Sequence, residues 1–214
     1  MNTTGKQTIF FDVDGVLING YHYRPEKRIC WDQNLERDLG IQSKDFVEKF
    51  IFEDFSNKVV LGQDSLYSAL ERFLPTINFH DTPQIVIDYW LRNDSHINYD
   101  LLEIIKSLKT NSDIVLYIST QQAHDRAIYL MENLGFSEYF SDIFHTARIG
   151  FKKTDPLYYE EISKLLNIQD TDPTPILFDD TPNVIKTAKE CGWNAYEYYD
   201  ILSLQQCPVM TKFI

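Results

Sequence analysis

Two acids close the apolar run at residues 9–11 and stand two positions apart: Asp12 and Asp14, with Gly15 directly after. In an extended chain successive side chains alternate between faces, so an Asp, x, Asp triplet sends both carboxylates to one side. Like charges held close repel, unless a cation or a reacting substrate uses them. Three more polar groups end apolar runs or follow them: Ser119 with Thr120 after DIVLYI, Lys153 in the loop RIGFKK, and Asp179 with Asp180 after PILF. Each alone has an ordinary structural reading. The acid pair could line a solvated loop, Ser119 could close a strand in a turn, Lys153 could be a surface charge, and Asp179 with Asp180 could cap a helix. Together they bring carboxylates, a hydroxyl and an ammonium to one kind of place, the C-terminal end of a strand.

Buried strands must do the positioning. The runs QTIFFDV (7–13), DIVLYIS (113–119) and PILFDD (175–180) are short, apolar and bounded by polar residues. Between the second and third, AHDRAIYLMENLGF spaces Ile128, Met131 and Leu134 as a helix stopped by Gly135, and DPLYYEEISKLL spaces Leu157, Ile162 and Leu165 likewise. NVIKTAKECG predicts a further helix closed by Gly192, and NAYEYY a further strand. Strands alternating with helices imply an α/β fold, a parallel sheet joined by right-handed crossovers with helices on both faces. In such a sheet the ligand crevice lies outside the C-terminal strand ends.

Residues 19–97 carry helix signals instead. Ser43 precedes KDFVEKFIFEDF, with Phe46, Phe50 and Ile51 on one face, and Asp64 precedes SLYSALERFL, with Leu66, Leu70, Phe73 and Leu74. Thr82 is placed to cap a third helix that has Pro83 at its first position. The expected organisation is a core of residues 1–18 and 98–214 with an all-helical insertion over 19–97.

The totals limit the function. With 43% hydrophobic and 14% aromatic residues the chain has too much apolar surface to stay disordered. A formal charge of −12 argues against a nucleic-acid or anionic-membrane partner. Cys30, Cys191 and Cys207 lack metal-ligand spacing and read as reduced thiols. The start MNTTGKQ is polar and no apolar stretch reaches membrane length. A soluble, cytoplasmic protein is expected.

FFDVDGVL, then LYIST, then Lys153 in KKTDP, then ILFDD resemble, in order and character, the four motifs of the haloacid dehalogenase-like hydrolase superfamily, over residues 9 to about 198. The insertion resembles that superfamily's helical cap. The resemblance implies a three-layer Rossmann-like core with a parallel sheet, a Mg²⁺ cofactor and an aspartyl-phosphate intermediate. Under it Asp12 is the nucleophile, Asp14 the acid and base toward the leaving alcohol and water, and Ser119 a hydrogen-bond donor to phosphoryl oxygens. Thr120 stands beside Ser119 as a substrate-binding residue, and Lys153 is the cation that neutralises phosphoryl charge. Asp12, the Asp14 backbone carbonyl and Asp180, with Asp179 beside it, would form an all-oxygen Mg²⁺ site. Members that displace halide lack an acid at the position of Asp14, so the resemblance favours phosphoryl transfer.

The chain departs from the family pattern in two places. Lys153 is followed by Thr154 where Pro is common, with Lys152 as a neighbouring rival, and Val184 falls where Asp or Asn is common, Asn183 lying one residue early. The length and style of the cap resemble bacterial phosphatases of small sugar phosphates such as glucose 1-phosphate. The expected function is thus a Mg²⁺-dependent phosphatase of a small phosphate monoester. The alternatives are a β-phosphoglucomutase-like phosphotransferase and a metal-binding regulatory module without catalysis. Near the expected hinge, Tyr21, His22, Tyr23 and Arg24 either touch substrate or leave the aromatics to staple cap to core, with His22 reading as a structural or exposed imidazole rather than a ligand.

Overall fold

The computed structural model describes residues 5–213. Five strands, β1 (Gln7–Phe11), β2 (Ile114–Thr120), β3 (Asp142–His145), β4 (Ile176–Asp179) and β5 (Asn194–Glu197), form one parallel sheet in the order β3-β2-β1-β4-β5. The central strands are apolar without alternation because both faces are covered. On one face Phe10, Tyr117, Phe144 and Leu177 pack against α8 (Pro156–Leu165) and α9 (Pro182–Glu190). On the other, Ile9, Phe11, Leu116 and Ile118 meet α5 (Tyr99–Lys109) and the segment that starts as α6 (His124–Ile128). The short helices α7 (Thr146–Ile149) and α10 (Ile201–Gln205) complete this α/β unit. Among the described residues, no helix is long and apolar enough to cross a membrane.

The sheet holds one strand that the sequence pattern did not reveal. β3 has four residues, opens on the charged Asp142 and lies at an edge, so it lacks the long apolar run of a central strand. β1 ends at Phe11, two residues short of the predicted run. Two helix faces also differ from the expected ones. In α8, Leu157 and Leu165 are exposed, while Tyr158 and Tyr159 are buried with Ile162. The tyrosines can be buried because their hydroxyls find acceptors, Tyr158 donating to Phe144 O at 2.6 Å and Tyr159 to Val184 O at 3.4 Å. After α6 the chain widens into a π-helical turn, Tyr129–Asn133. That shifts the inward face, so Ile128 is exposed while Ala127 and Leu130 are buried.

Between β1 and α5 the chain builds α1 (Leu35–Leu39), α2 (Ser43–Phe46) running into π-helical Val47–Phe55, α3 (Leu66–Phe73) and α4 (Pro83–Asn93). They share their own apolar cluster, centred on Phe46, Phe50, Leu70, Phe73 and Trp90. Trp31 stacks on Trp90 with ring centroids 4.9 Å apart. Ser65, rather than Asp64, caps α3 by accepting the Ser68 N–H at 3.0 Å. The N-cap of α2 is Gln42, with Ser43 already helical, and Thr82 precedes Pro83 without a side-chain cap bond. The insertion also meets the sheet unit through a tight turn at Val59–Leu61 that ends in Gly62. Gly62 has φ +69°, and a Cβ there would lie 2.1 Å from the carbonyl oxygen of Ala147 in α7.

Candidate active site

Reading across the sheet, the strand order reverses between β1 and β4, and an open α/β sheet binds its ligand outside the C-terminal ends at such a point. Asp12 follows β1 and stays tied to β4, its N–H donating to Phe178 O at 2.9 Å. Asp179 ends β4 and Asp180 follows it. The loop before α8 sends Lys153 beneath them. Its ammonium lies 2.9 Å from Asp12 Oδ1, donates to Ser119 O at 2.8 Å and bonds Asp179 Oδ2. Lys153 is 2% exposed, whereas its rival Lys152 is only half-buried.

Ligand oxygens of Asp12, Asp179 and Asp180 all lie within 4.8 Å of one another, and all three residues are buried. Burial raises Asp12 well above the usual carboxylate range, Asp179 and Asp180 push the same way, and Lys153 opposes them. Burial works against the Lys153 ammonium, but Asp12 and Asp179 prevail and hold it charged. Burial also raises Asp180, against a bond from the Tyr23 N–H. Three carboxylates against one ammonium leave an excess of negative charge. An all-oxygen donor set of this kind suits a hard divalent cation such as Mg²⁺. Asp179 already accepts from Lys153 and, at 2.8 Å, from Thr181 N–H. Asp180 accepts on both oxygens as well, from Thr181 Oγ1 and from the Tyr23 N–H, so Asp12, bonded to Lys153, has the freer oxygens.

Asp14 departs from the expected juxtaposition. The chain leaves the extended form after Asp12 and turns, with Ile18 N–H donating to Val13 O at 2.8 Å and Gly15 N–H to Ile18 O at 2.9 Å. Strand alternation no longer applies, and the two carboxylates go to different partners. Asp14 accepts from Gln122 Nε2 and lies 3.4 Å from Arg126 Nη2. Gly15 has φ +77°, and a Cβ on it would come 2.5 Å from Asp180 Oδ2. Glycine is thus required both by the turn and by the approach of the acid cluster.

The remaining candidates scatter in an informative way. Ser119 is fully buried, and its hydroxyl meets Tyr158 OH at 3.1 Å. Because Tyr158 gives its own proton to Phe144 O, Ser119 must be the donor, so its proton is committed to the core. Thr120 Oγ1 is buried with no hydrogen-bond partner among the described residues. Val184 packs in the sheet cluster and Asn183 is exposed, so neither brings a polar side chain to the acids. Thr181 Oγ1 bonds Asp180 Oδ1 at 2.9 Å instead.

Several further residues surround the site, some of them, such as Arg126 and Asp94, not singled out by the pattern of types and spacings. His22 is buried and puts Nδ1 3.0 Å from Asp180 Oδ2, the oxygen that also accepts the Tyr23 N–H at 2.5 Å. Burial lowers this imidazole, with Lys27 and Arg24 adding to the effect. Arg126, 4% exposed, bonds the Asp94 carbonyl and sets Nη1 3.4 Å from Asp94 Oδ2. Burial lifts Asp94 to about 7, although Arg126 opposes the shift. Cations fasten the linker to the sheet unit where aromatic staples were expected. Arg24 and Lys27 lie over the Tyr199 ring at 4.8 and 3.3 Å. Tyr21 and Tyr23 remain exposed.

Comparison with known proteins agrees with this geometry. The haloacid dehalogenase-like hydrolase family profile matches residues 6–192. No curated protein matches the chain in sequence. Among solved structures, a haloacid dehalogenase family enzyme from Bacteroides thetaiotaomicron in complex with magnesium has a TM-score of 0.73 at 17% identity, covering 95% of this chain and 100% of its own. The same enzyme has been solved with magnesium and inorganic phosphate. A predicted hydrolase of this family from Porphyromonas gingivalis has a TM-score of 0.73 at 19% identity, covering 97% of each chain. An L-2-haloacid dehalogenase has a TM-score of 0.63 at 18% identity, covering 93% of this chain and 87% of its own. At these identities the likeness is one of fold.

Proposed function

The chain belongs to the haloacid dehalogenase-like hydrolase family, and from that premise we propose that it hydrolyses a small phosphate monoester with Mg²⁺, through an aspartyl-phosphate on Asp12. The observation that carries this reading is Lys153, which joins Asp12, Asp179 and the Ser119 carbonyl beside Asp180, while the Asp14 carboxylate pairs with Gln122 and Arg126. Bound Mg²⁺ would be held by Asp12, Asp180 and the Asp14 carbonyl with Asp179 alongside, and would supply positive charge to the phosphoryl oxygens.

In the first half-reaction an Asp12 oxygen attacks phosphorus, the bond to the ester oxygen breaks, and Asp14 gives that oxygen its proton. In the second, Asp14 takes a proton from water, the water oxygen attacks phosphorus, and the bond to Asp12 breaks. Lys153 offsets phosphoryl charge throughout. Ser119 can donate to the phosphoryl group by turning its hydroxyl away from Tyr158, and Thr120 has a free hydroxyl beside it. Residues 19–97 act as a cap over a core of 1–18 and 98–214, closing the crevice to water. The ester is a small molecule, with no nucleic-acid or membrane partner, and the protein works in the cytoplasm.

The acid at Asp14 speaks against halide displacement, which has no leaving oxygen to protonate. Phosphate released from a panel of monoesters should depend on Mg²⁺, stop with chelator and be abolished in Asp12→Asn. A protein that frees no phosphate from any ester would refute the reading in favour of a binding module. Isomerisation of a sugar 1-phosphate without net release would make it a mutase.

A further inference from the structure

Between the helical insertion and the carboxyl end of the sheet lies a cavity of ≈ 320 Å³. Most of the surface it presents is apolar, contributed by Trp31, Ile51, Phe52, Phe55, Leu66 and Trp90. Of Asp12, Asp14, Ser119, Lys153 and Asp180, Asp14 is the one that lines it. The cavity therefore adjoins the acid that protonates the departing oxygen, and leaves the phosphoryl-binding groups outside. It is shaped for what the ester carries beyond its bridging oxygen.

The polar lining is largely occupied. Asp32 bonds Ser43, Gln122 bonds Asp14, and Arg28 Nε donates to His22 O at 2.7 Å. Asp94 and Arg126 face each other, Nη1 lying 3.4 Å from Asp94 Oδ2, and their atoms without a hydrogen-bond partner among the described residues are buried rather than open to the cavity. The cavity thus presents few polar atoms to a ligand, and a ligand hydroxyl buried there without a partner is costly. A hexose brings hydroxyls on nearly every carbon, and an aromatic wall cannot satisfy them. A flat apolar ring matches the wall.

We infer that the substrates are aryl or arylalkyl phosphate monoesters whose ring sits among Trp31, Phe52, Phe55 and Trp90. This rests on the phosphatase reading and replaces the resemblance to hexose-phosphate enzymes with a different leaving group.

The test compares 2-phenylethyl phosphate with glucose 6-phosphate in the presence of Mg²⁺. Both are esters of primary alcohols, so the bond cleaved is matched and the leaving group alone differs. The aryl ester should have a kcat/KM higher by about tenfold or more, the gain from burying one ring. Phe52, 64% exposed, can be changed to Ser without opening the core, and Phe52→Ser should narrow that preference several-fold. A hexose phosphate turned over equally well or better overturns the inference and leaves the phosphatase reading standing. Binding of 2-phenylethylphosphonate, followed by tryptophan fluorescence, needs no turnover. Tight binding weakened in Phe52→Ser supports the cavity assignment even if no ester is cleaved. A phosphonate that binds no better than glucose 6-phosphate overturns it.

Discussion

Lys153 is the cation that joins Asp12 and Asp179 in the buried three-carboxylate cluster, so replacing it with the apolar, similarly sized Met tests the centre of the site. The Lys153→Met protein buries Asp12, Asp179 and Asp180 with the ammonium gone. Removing one partner of a buried ion pair costs about 3–5 kcal/mol, because it leaves uncompensated charge. For a chain of this size 1 kcal/mol moves the melting temperature by roughly 2–4 °C, so a fall of about 6–20 °C is expected in chelator. Saturating Mg²⁺ should return part of that loss, since it supplies positive charge to the same carboxylates only in the folded state. Turnover should fall on the order of 10²-fold or more, as for other electrostatic stabilisers. Differential scanning fluorimetry with and without Mg²⁺ measures the first two effects, and phosphate release the third. Lys152→Met, one residue away and half-buried, is the control, with an expected shift of no more than about 2 °C. A Lys153→Met protein that melts within about 2 °C of wild type in chelator, or a Lys152→Met protein that is the worse of the two, would refute the reasoning.

Three further outcomes follow from the same geometry. Gly15→Ala puts a Cβ 2.5 Å from Asp180 Oδ2 at a φ of +77°, so calorimetric Mg²⁺ affinity should drop by about tenfold or more, and unaltered affinity would contradict the assignment. Asp12 and Asp180 are both raised by burial, so they hold protons to higher pH than ordinary carboxylates; Mg²⁺ must displace those protons, and its affinity should climb with pH above the usual carboxylate range, with proton release measurable by calorimetry in buffers of different ionisation heat. Asp94 is raised to about 7, so the folded state keeps a proton that the unfolded chain releases near pH 4, and the stability this group provides is lost as pH rises through about 7. The melting temperature of Asp94→Asn relative to wild type should therefore improve between about pH 4.5 and 8, and a flat difference would count against the burial of that charge.

The alternation of short apolar runs with helical patterns was enough to read the α/β architecture and the crevice, because local periodicity reports directly on which faces are covered. The Asp12, Asp179 and Asp180 grouping was legible for the same reason, since each residue sits at or near a strand end whose position the pattern fixes, whereas Lys153 comes from a loop after α7 and was legible only through the motif resemblance. What escaped depends on contacts distant in sequence. His22 is an ordinary imidazole in the sequence and gains meaning only when the linker folds back against Asp180. Arg126 looks like a surface cation on a helix until Asp94, 32 residues away, buries it. Tyr158 and Tyr159 defeat helix-face counting because hydroxyl acceptors elsewhere, the carbonyls of Phe144 and Val184, make their burial affordable. The different partners of Asp14 and Asp12 escaped because a turn begins at once after β1, where strand alternation stops.

The contact at Gly62 is made by main chain, with no room for even one carbon between it and Ala147. The height at which the upper helices rest on the lower unit is therefore set by two peptide groups, independently of any side chain's rotamer. A methyl group introduced there would act as a shim and tilt that assembly.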